Sequence, residues 1–172
     1  GSTAPCENAT GEVYSIGPVA NTTGYTWSVP TGASITNTAG DELTVTVTWG
    51  TTSGNISVTA DNACGSSTVQ TSAITLGATP AQPLAITGST APCENATGEV
   101  YSIGPLATTT GYTWSVPTGA SITNTAGDEL TVTVTWGTTS GNVSVTADNA
   151  CGSSTVQTSS ITLGATPAQP LA

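Results

Sequence analysis

The stretch Leu43-Thr-Val-Thr-Val-Thr-Trp49 alternates apolar residues with threonine over seven positions. Because successive side chains of a β-strand point to opposite faces, this pattern predicts a strand with one buried face and one face in water. The four apolar residues are predicted to face inward and the three threonines outward. The segments Tyr25-Thr-Trp-Ser-Val29 and Ile56-Ser-Val-Thr-Ala60 repeat this alternation and predict two further strands.

Weaker strand patterns and turn residues surround these three segments. The weaker strands are predicted at Glu12 to Ile16, Ala33 to Thr36 and Thr68 to Leu76. Turn residues separate the strands at Pro30-Thr-Gly32, Ala39-Gly-Asp41, Gly50-Thr-Thr-Ser-Gly54 and Cys64-Gly65. Because long stretches with helical periodicity are missing from the sequence, we expect an all-β fold, a two-sheet sandwich of the immunoglobulin-like type.

The whole pattern occurs twice. Residues 1–85 and 88–172 align with a period of 87, and they differ only at Val19/Leu106, Asn21/Thr108, Ile56/Val143 and Ala73/Ser160. We therefore predict two tandem domains, residues 1–85 and 86–172, with a proline-containing linker at about 77–87. Near-identity of the copies indicates an array of more than two repeats, from which this chain is a fragment or mature segment.

The charge of the chain restricts its function. It contains no Lys, Arg or His and ten Asp and Glu, for a net charge of -10. Nucleic acid and anionic lipid surfaces are excluded as partners because both need cationic side chains. Nucleophiles and metal sites that depend on Lys or His are excluded as well. No apolar run is long enough to insert into a membrane, and we expect the protein not to be an enzyme.

The four cysteines predict a disulfide in each copy. Each repeat carries two, at equivalent places, so the pairing that lets every copy fold alone is Cys6 with Cys64 and Cys93 with Cys151. The alternative is a bond from Cys64 to Cys93 across the linker. Either bond indicates an oxidising compartment, so we expect an extracellular or cell-surface location.

The order of motifs resembles a known family. The second copy contains Tyr112-Thr-Trp-Ser-Val-Pro117, Val132-Thr-Val-Thr-Trp-Gly137 and Asp148-Asn-Ala-Cys-Gly152, and this combination resembles the PKD-like repeats of secreted bacterial multi-repeat surface proteins. The resemblance implies an immunoglobulin-type sandwich repeated along an exported protein. A departure is that Trp27-Ser-Val-Pro-Thr-Gly32 replaces the more typical Trp-Asp-Phe-Gly-Asp-Gly, so the resemblance does not select a ligand.

Two kinds of candidate site remain. Carboxylates in turns are calcium-ligand candidates, although the expected reading is a solvated acidic turn and no cofactor. These candidates are Asp41, Glu42 and Asp61, with Asp128, Glu129 and Asp148 in the second copy. Trp49 and Trp136 stand at strand ends and are candidate contact aromatics for carbohydrate or for the next repeat; Trp27 and Trp114 are expected in the core, near the disulfide.

These features favour a structural repeat of an extracellular stalk, fibre or filament, a spacer or assembly unit whose partners are neighbouring repeats. Strand edges that carry no Lys favour self-assembly into fibres. The alternative is an adhesin module that binds a polysaccharide or a surface with the avidity of repeated copies.

Overall fold

The computed structural model describes residues 1–165 and 167, and it divides into two compact units, Gly1–Ala78 and Thr79–Ala172. The boundary between the units lies inside the residue range 77–87 that the sequence predicts as a linker. In the described part of the chain every regular element is a β-strand. None of the described residues forms a helix long and apolar enough to span a bilayer.

The first unit is a sandwich of two antiparallel sheets. Strands β1 (Glu12–Ser15), β4 (Thr44–Thr48) and β3 (Ser34–Thr38) form one sheet in that order. In the other sheet, β5 (Gly54–Asn62) is central, with β2 (Gly24–Ser28) on one side and both β6 (Gly65–Ser66) and β7 (Gln70–Ile74) on the other. This order matches the two sheets of an immunoglobulin-like domain, as the sequence predicts.

The second unit repeats this arrangement strand for strand. One sheet contains β8 (Glu99–Ser102), β11 (Thr131–Thr135) and β10 (Ser121–Thr125). The other contains β9 (Gly111–Ser115), β12 (Gly141–Asn149), β13 (Gly152–Ser153) and β14 (Gln157–Ile161). The six strands predicted for one copy are present in both, and the short strands β6 and β13 are the ones that the sequence pattern misses.

Alternation along β4 builds the core of the first unit. Val45, Val47 and Trp49 are buried, and they pack with Tyr14 and Ile56. The threonines between them lie on the opposite face, half-buried between the neighbouring strands β1 and β3. Removal of this apolar surface from water supplies the main driving force for folding of each unit.

The cores of the two units are not covered equally. Ile86 packs against the second core, and Thr87 pairs with Ser102 through two backbone hydrogen bonds of 2.8 and 2.9 Å. In the first unit, Tyr14 and Trp27 line a surface hollow of about 180 Å³. Tyr14 is 5% exposed, whereas its counterpart Tyr101 is 1% exposed.

One of the four differences between the copies lies at a left-handed backbone position. Asn21 and Thr108 both adopt a left-handed conformation, with φ of 62° and 63°. Asparagine tolerates this region, whereas a β-branched side chain is strained there. We expect Thr108→Asn to stabilise the second unit by about 1 kcal/mol, measured as a higher urea midpoint. The reciprocal Asn21→Thr is the control and should destabilise the first unit; equal midpoints for all three proteins would contradict the prediction.

Candidate functional site

Cys64 lies at the tip of a tight β-hairpin. Asn62 pairs with Gly65 across β5 and β6, so Ala63 and Cys64 form a two-residue turn. The Asn62 side chain holds this turn: its Oδ1 accepts the Cys64 backbone N–H at 2.8 Å, and its Nδ2 donates to the Asn21 carbonyl at 2.9 Å. The Cys64 side chain is exposed and borders a surface hollow of about 320 Å³.

Cys6 belongs to the opposite end of the same unit. It forms a parallel bridge with Gly77, and the flanking hydrogen bonds run from Glu7 N to Gly77 O at 2.8 Å and from Gly77 N to Pro5 O at 2.9 Å. Gly77 follows β7, whose Ile74 pairs with Gly54 at the beginning of β5. Cys64, in contrast, follows the last residue of β5. The length of this nine-residue strand therefore lies between the two cysteines.

This separation corrects the predicted disulfide pairing. At about 3.3 Å per residue, β5 spans roughly 25 Å, whereas bonded cysteines need Cα atoms within about 7 Å. Cys64 and Cys93 carry free, exposed thiols in the structure, so neither the pairing within each copy nor the Cys64–Cys93 alternative is formed. Disulfide bonding is nevertheless present in the structure, because Cys6 and Cys151 are each disulfide-bonded.

The second unit has the same two cysteine environments. Cys93 bridges Gly164, with hydrogen bonds from Glu94 N to Gly164 O and from Gly164 N to Pro92 O, both 2.9 Å. Cys151 lies in the β12–β13 turn, where its N–H donates to Asn149 Oδ1 at 2.8 Å. We call Cys64 and Cys151 the hairpin cysteines, and Cys6 and Cys93 the bridge cysteines.

Sequence reasoning missed the role of Asn62 and Asn149. Both precede a hairpin cysteine by two positions, and an Asx side chain commonly accepts a hydrogen bond from the N–H two residues later. The pattern Asn-x-Cys-Gly could therefore have identified this turn from sequence.

The calcium-ligand candidates accept hydrogen bonds from different groups of the protein and do not all border one hollow. Asp41 Oδ1 accepts the N–H of Leu43 at 3.1 Å, and Glu42 Oε2 accepts that of Tyr25 at 2.6 Å. These two residues border one surface hollow, whereas Asp61 borders the hollow of Cys64. Asp128, Glu129 and Asp148 repeat these contacts in the second unit.

Asp61 is held by hydroxyl groups. Thr26 Oγ1 donates to its Oδ2 at 2.7 Å and Thr59 Oγ1 to its Oδ1 at 3.3 Å. Hydrogen bonds lower the pKa of Asp61, with the larger effect from Ser66 and the smaller from Thr26. The pKa of Asp148 is lowered in the same way by Ser153 and Thr113. Within the described residues, no three acidic or cysteine side chains come together as a metal-binding group.

The tryptophans exchange the environments that the sequence predicts. Trp49 and Trp136 are each 2% exposed and belong to the two cores, so they are not available as contact aromatics. Trp27 and Trp114 are only partly buried at the edge of the cores. The Trp27 Nε1 donates to the Glu42 carbonyl at 2.8 Å, and neither ring adjoins a disulfide within its own copy, since none is formed there.

Two successive hydrogen bonds orient the core tryptophan Trp49. Trp49 Nε1 donates to Tyr14 Oη at 3.1 Å, and Tyr14 Oη donates to the Ser2 carbonyl at 2.9 Å. The rings meet edge to face with centroids 6.1 Å apart. Burial raises the pKa of Tyr14 against the opposing effect of the Trp49 hydrogen bond, and the pKa of Tyr101 is raised by the same causes in the second unit.

These raised pKa values predict alkaline destabilisation. Because the folded state favours the protonated phenol, this stability is present below about pH 10 and is lost as the pH rises through the raised pKa. We expect the urea midpoint to fall above pH 10 in a chain whose free cysteines are serine. Tyr14→Phe/Tyr101→Phe should lower the midpoint at pH 8 but flatten its fall between pH 9 and 11; an unchanged slope would contradict the assignment.

The strand order and the two packed sheets place each unit in the class of immunoglobulin-like β-sandwiches. The sequence profile of the PKD-like domain matches residues 1–74 and again residues 79–161. The chain therefore belongs to the PKD-like domain family, as its motifs indicate. No curated protein matches the sequence as a relative.

Several solved structures align with this chain at low sequence identity. The eight N-terminal Ig domains of Down Syndrome Cell Adhesion Molecule isoform 1.30.30 align over 94% of this chain and 23% of theirs, with 10% identity and a TM-score of 0.49. The Escherichia coli adhesin FdeC aligns over 93% and 60%, with 15% identity and a TM-score of 0.31. The Bacteroides ovatus protein SGBP-B, solved with a mixed-linkage heptasaccharide, aligns over 95% and 44%, with 13% identity and a TM-score of 0.28. The chain thus spans less than two thirds of each of these proteins.

Proposed function

We propose that this chain is a structural repeat of an extracellular surface protein, in which each copy serves as a spacer or assembly unit of a stalk, fibre or filament. The proposal is supported most directly by the path of the chain through the second unit. The chain enters that unit at one end of the sandwich and leaves it at the opposite end, as a module that adds length must.

The contacts at the two ends of the second unit define this path. Thr87 pairs with Ser102, which pairs with Thr131 at the beginning of β11. Glu129, two residues before Thr131, lies near the end of β12. Its Oε2 accepts the N–H of Tyr112, and Tyr112 pairs with Ala147 of β12. Gly164 instead pairs with Cys93, beyond the beginning of β12. The path therefore runs along the roughly 25 Å length of β12.

Composition supports a non-catalytic role without a resident cofactor. The chain has no Lys, Arg or His, and the carboxylates of its turns accept hydrogen bonds from the backbone and from threonine. Near-identical copies also fit a role that requires uniform units more than one specialised site. The disulfide-bonded cysteines favour an oxidising, extracellular location.

Small-angle X-ray scattering tests the spacer role. Chains with two, four and six copies are compared. In each chain the first hairpin cysteine and the last bridge cysteine, which are Cys64 and Cys93 in the two-copy chain, are replaced by serine to prevent disulfides between chains. We expect the maximum dimension to increase by a constant step of about 25 Å or more per copy. A maximum dimension that hardly increases beyond two copies would contradict the proposal.

The alternative is an adhesin module that binds a polysaccharide. A glycan array screened with the two-copy and the four-copy chain distinguishes the two functions, because avidity would make the four-copy signal disproportionately stronger. The spacer role predicts no glycan bound above background by either chain. Saturable binding to one glycan class would favour the adhesin module instead.

A further inference from the structure

We propose that the free thiols of Cys64 and Cys93 are linking groups that join this chain, by disulfides, to further copies of the same module. The predicted bond is complementary: a hairpin cysteine of one copy pairs with a bridge cysteine of another. This assignment deepens the structural role proposed above, on which it rests, by naming the atoms that connect the units.

The first observation is that equivalent cysteines differ in covalent state. Cys64 is free and Cys151 is disulfide-bonded, and Cys93 is free whereas Cys6 is disulfide-bonded. One cysteine of each kind is thus bonded and one of each kind is free. The free thiols are therefore not a separate class of residue, because their counterparts form disulfides in this structure.

The second observation is that free and bonded cysteines have the same local geometry. The N–H of Cys64 and that of Cys151 each donate to the preceding Asn Oδ1 at 2.8 Å. The bridges Cys6–Gly77 and Cys93–Gly164 are both parallel, with flanking hydrogen bonds of 2.8 to 2.9 Å. Cys64 and Cys93 consequently hold the backbone conformation of a bonded cysteine without rearrangement.

The third observation excludes a partner within the same copy. A bridge cysteine and a hairpin cysteine of one unit lie at opposite ends of the sandwich, roughly 25 Å apart along the central strand. Disulfide geometry does not span this distance. The partner of Cys64 must therefore come from another copy, and so must the partner of Cys93.

Complementary pairing follows from the direction of the chain. In the first unit the chain leaves through Gly77, which lies beside the bridge cysteine Cys6. The chain enters the second unit beside the last residues of β12. This end of the unit carries the hairpin cysteine Cys151. The end at which the chain leaves a copy thus carries the bridge cysteine, and the end at which it enters a copy carries the hairpin cysteine.

The linking reaction needs an oxidant, for which we name a low-molecular-weight or protein disulfide. The Cys64 thiolate attacks one sulfur of that disulfide, forms a mixed disulfide and releases one thiol. The Cys93 thiolate of a second chain then attacks the Cys64 sulfur and releases the second thiol. Two protein thiols lose two protons and two electrons in total, and the oxidant is reduced to two thiols.

Mixing single-cysteine variants tests the proposal. With oxidised glutathione, the wild-type chain should form a ladder of dimers, trimers and larger species on a non-reducing gel, and reductant should abolish it. Cys64→Ser and Cys93→Ser should each remain mostly monomeric alone. Their mixture should give at least about tenfold more dimer than either alone, and nothing larger. Cys64→Ser/Cys93→Ser is the matched control and should stay monomeric.

Fragment mapping identifies the bonded atoms. Cleavage before aspartate places Cys6 on residues 1–40, both free cysteines on residues 61–127, and Cys151 on residues 148–172. With one variant labelled by nitrogen-15, the dimer should yield one labelled and one unlabelled 61–127 fragment joined to each other. Linkage through Cys6 or Cys151 would overturn the proposal. So would an amount of dimer in either unmixed variant equal to that in the mixture, or a wild-type chain whose thiols react only with glutathione and form no dimer.

Asn62 is the positioning residue for this reaction. Asn62→Ala removes the acceptor of the Cys64 N–H and should slow ladder formation several-fold, while the rate of capping of Cys64 by glutathione stays near that of the wild type. If both rates fall together, Asn62 affects only exposure of the thiol. Failure of linking would leave the scattering result unchanged, since that experiment uses serine at both positions.

Discussion

Replacing Gly50 by alanine should destabilise the first unit by about 3 kcal/mol, because the new methyl group has no space. A Cβ at Gly50 would lie 2.5 Å from the carbonyl oxygen of Gly32 and 3.0 Å from its carbonyl carbon. Both obstacles are backbone atoms, and Gly32 itself adopts a φ of 92° that other residues rarely reach. Either the end of β4 or the turn before Ala33 must move.

Denaturant unfolding monitored by tryptophan fluorescence measures this effect. The unaltered second copy is an internal reference, so we expect the single transition to split, with the first unit unfolding at lower urea. Gly40→Ala is the matched control, because no atom lies within 4 Å of a Cβ there, and it should change stability by less than about 0.5 kcal/mol. Equal effects of Gly50→Ala and Gly40→Ala would contradict the close approach.

Truncating Trp49 to alanine should cost the first unit about 3 to 5 kcal/mol, since it empties a large volume at the centre of the core. The indole is 2% exposed, packs against Tyr14 and donates a hydrogen bond to the Tyr14 hydroxyl, which in turn donates to the Ser2 carbonyl. The substitution also removes one donor from the hydroxyl of Tyr14. We expect this copy to unfold at a much lower temperature than the unaltered copy.

Calorimetry of Trp49→Ala and of Val69→Ala makes the comparison, because Val69 is apolar and 58% exposed. Val69→Ala should leave the transition nearly unchanged. A Trp49→Ala chain that melts like the wild type would show that the indole is a surface group, as the sequence hypothesis of a contact aromatic required.

Much of the fold could be predicted because it depends on local patterns. The alternation from Leu43 to Trp49 predicts β4, and turn residues delimit the remaining strands. The 87-residue period predicts two similar units, and the order of motifs indicates the PKD-like family that the sequence profile confirms. The two-residue strands β6 and β13 escape prediction because two residues are too few to show a period.

The environment of the tryptophans illustrates where sequence reasoning fails. Trp27 and Trp49 both occupy inward positions of alternating strands, and the sequence hypothesis placed Trp27 deeper. In the structure Trp49 is fully enclosed because it directly follows β4, the middle strand of its sheet. Strand β2 is an edge strand, so Trp27 keeps one side open. Strand order, and not alternation, decides this difference.

The sequence by itself determined that the chain folds as two all-β units with an acidic, cation-free surface, because alternation and charge are properties of neighbouring residues and of composition. Only the tertiary structure decided which cysteines can meet. Cys6 and Cys64 belong to one copy, yet the path of the chain carries them to opposite ends of β5. Sequence separation does not encode this distance, because a sandwich brings distant segments together at one end and separates others by the length of a strand.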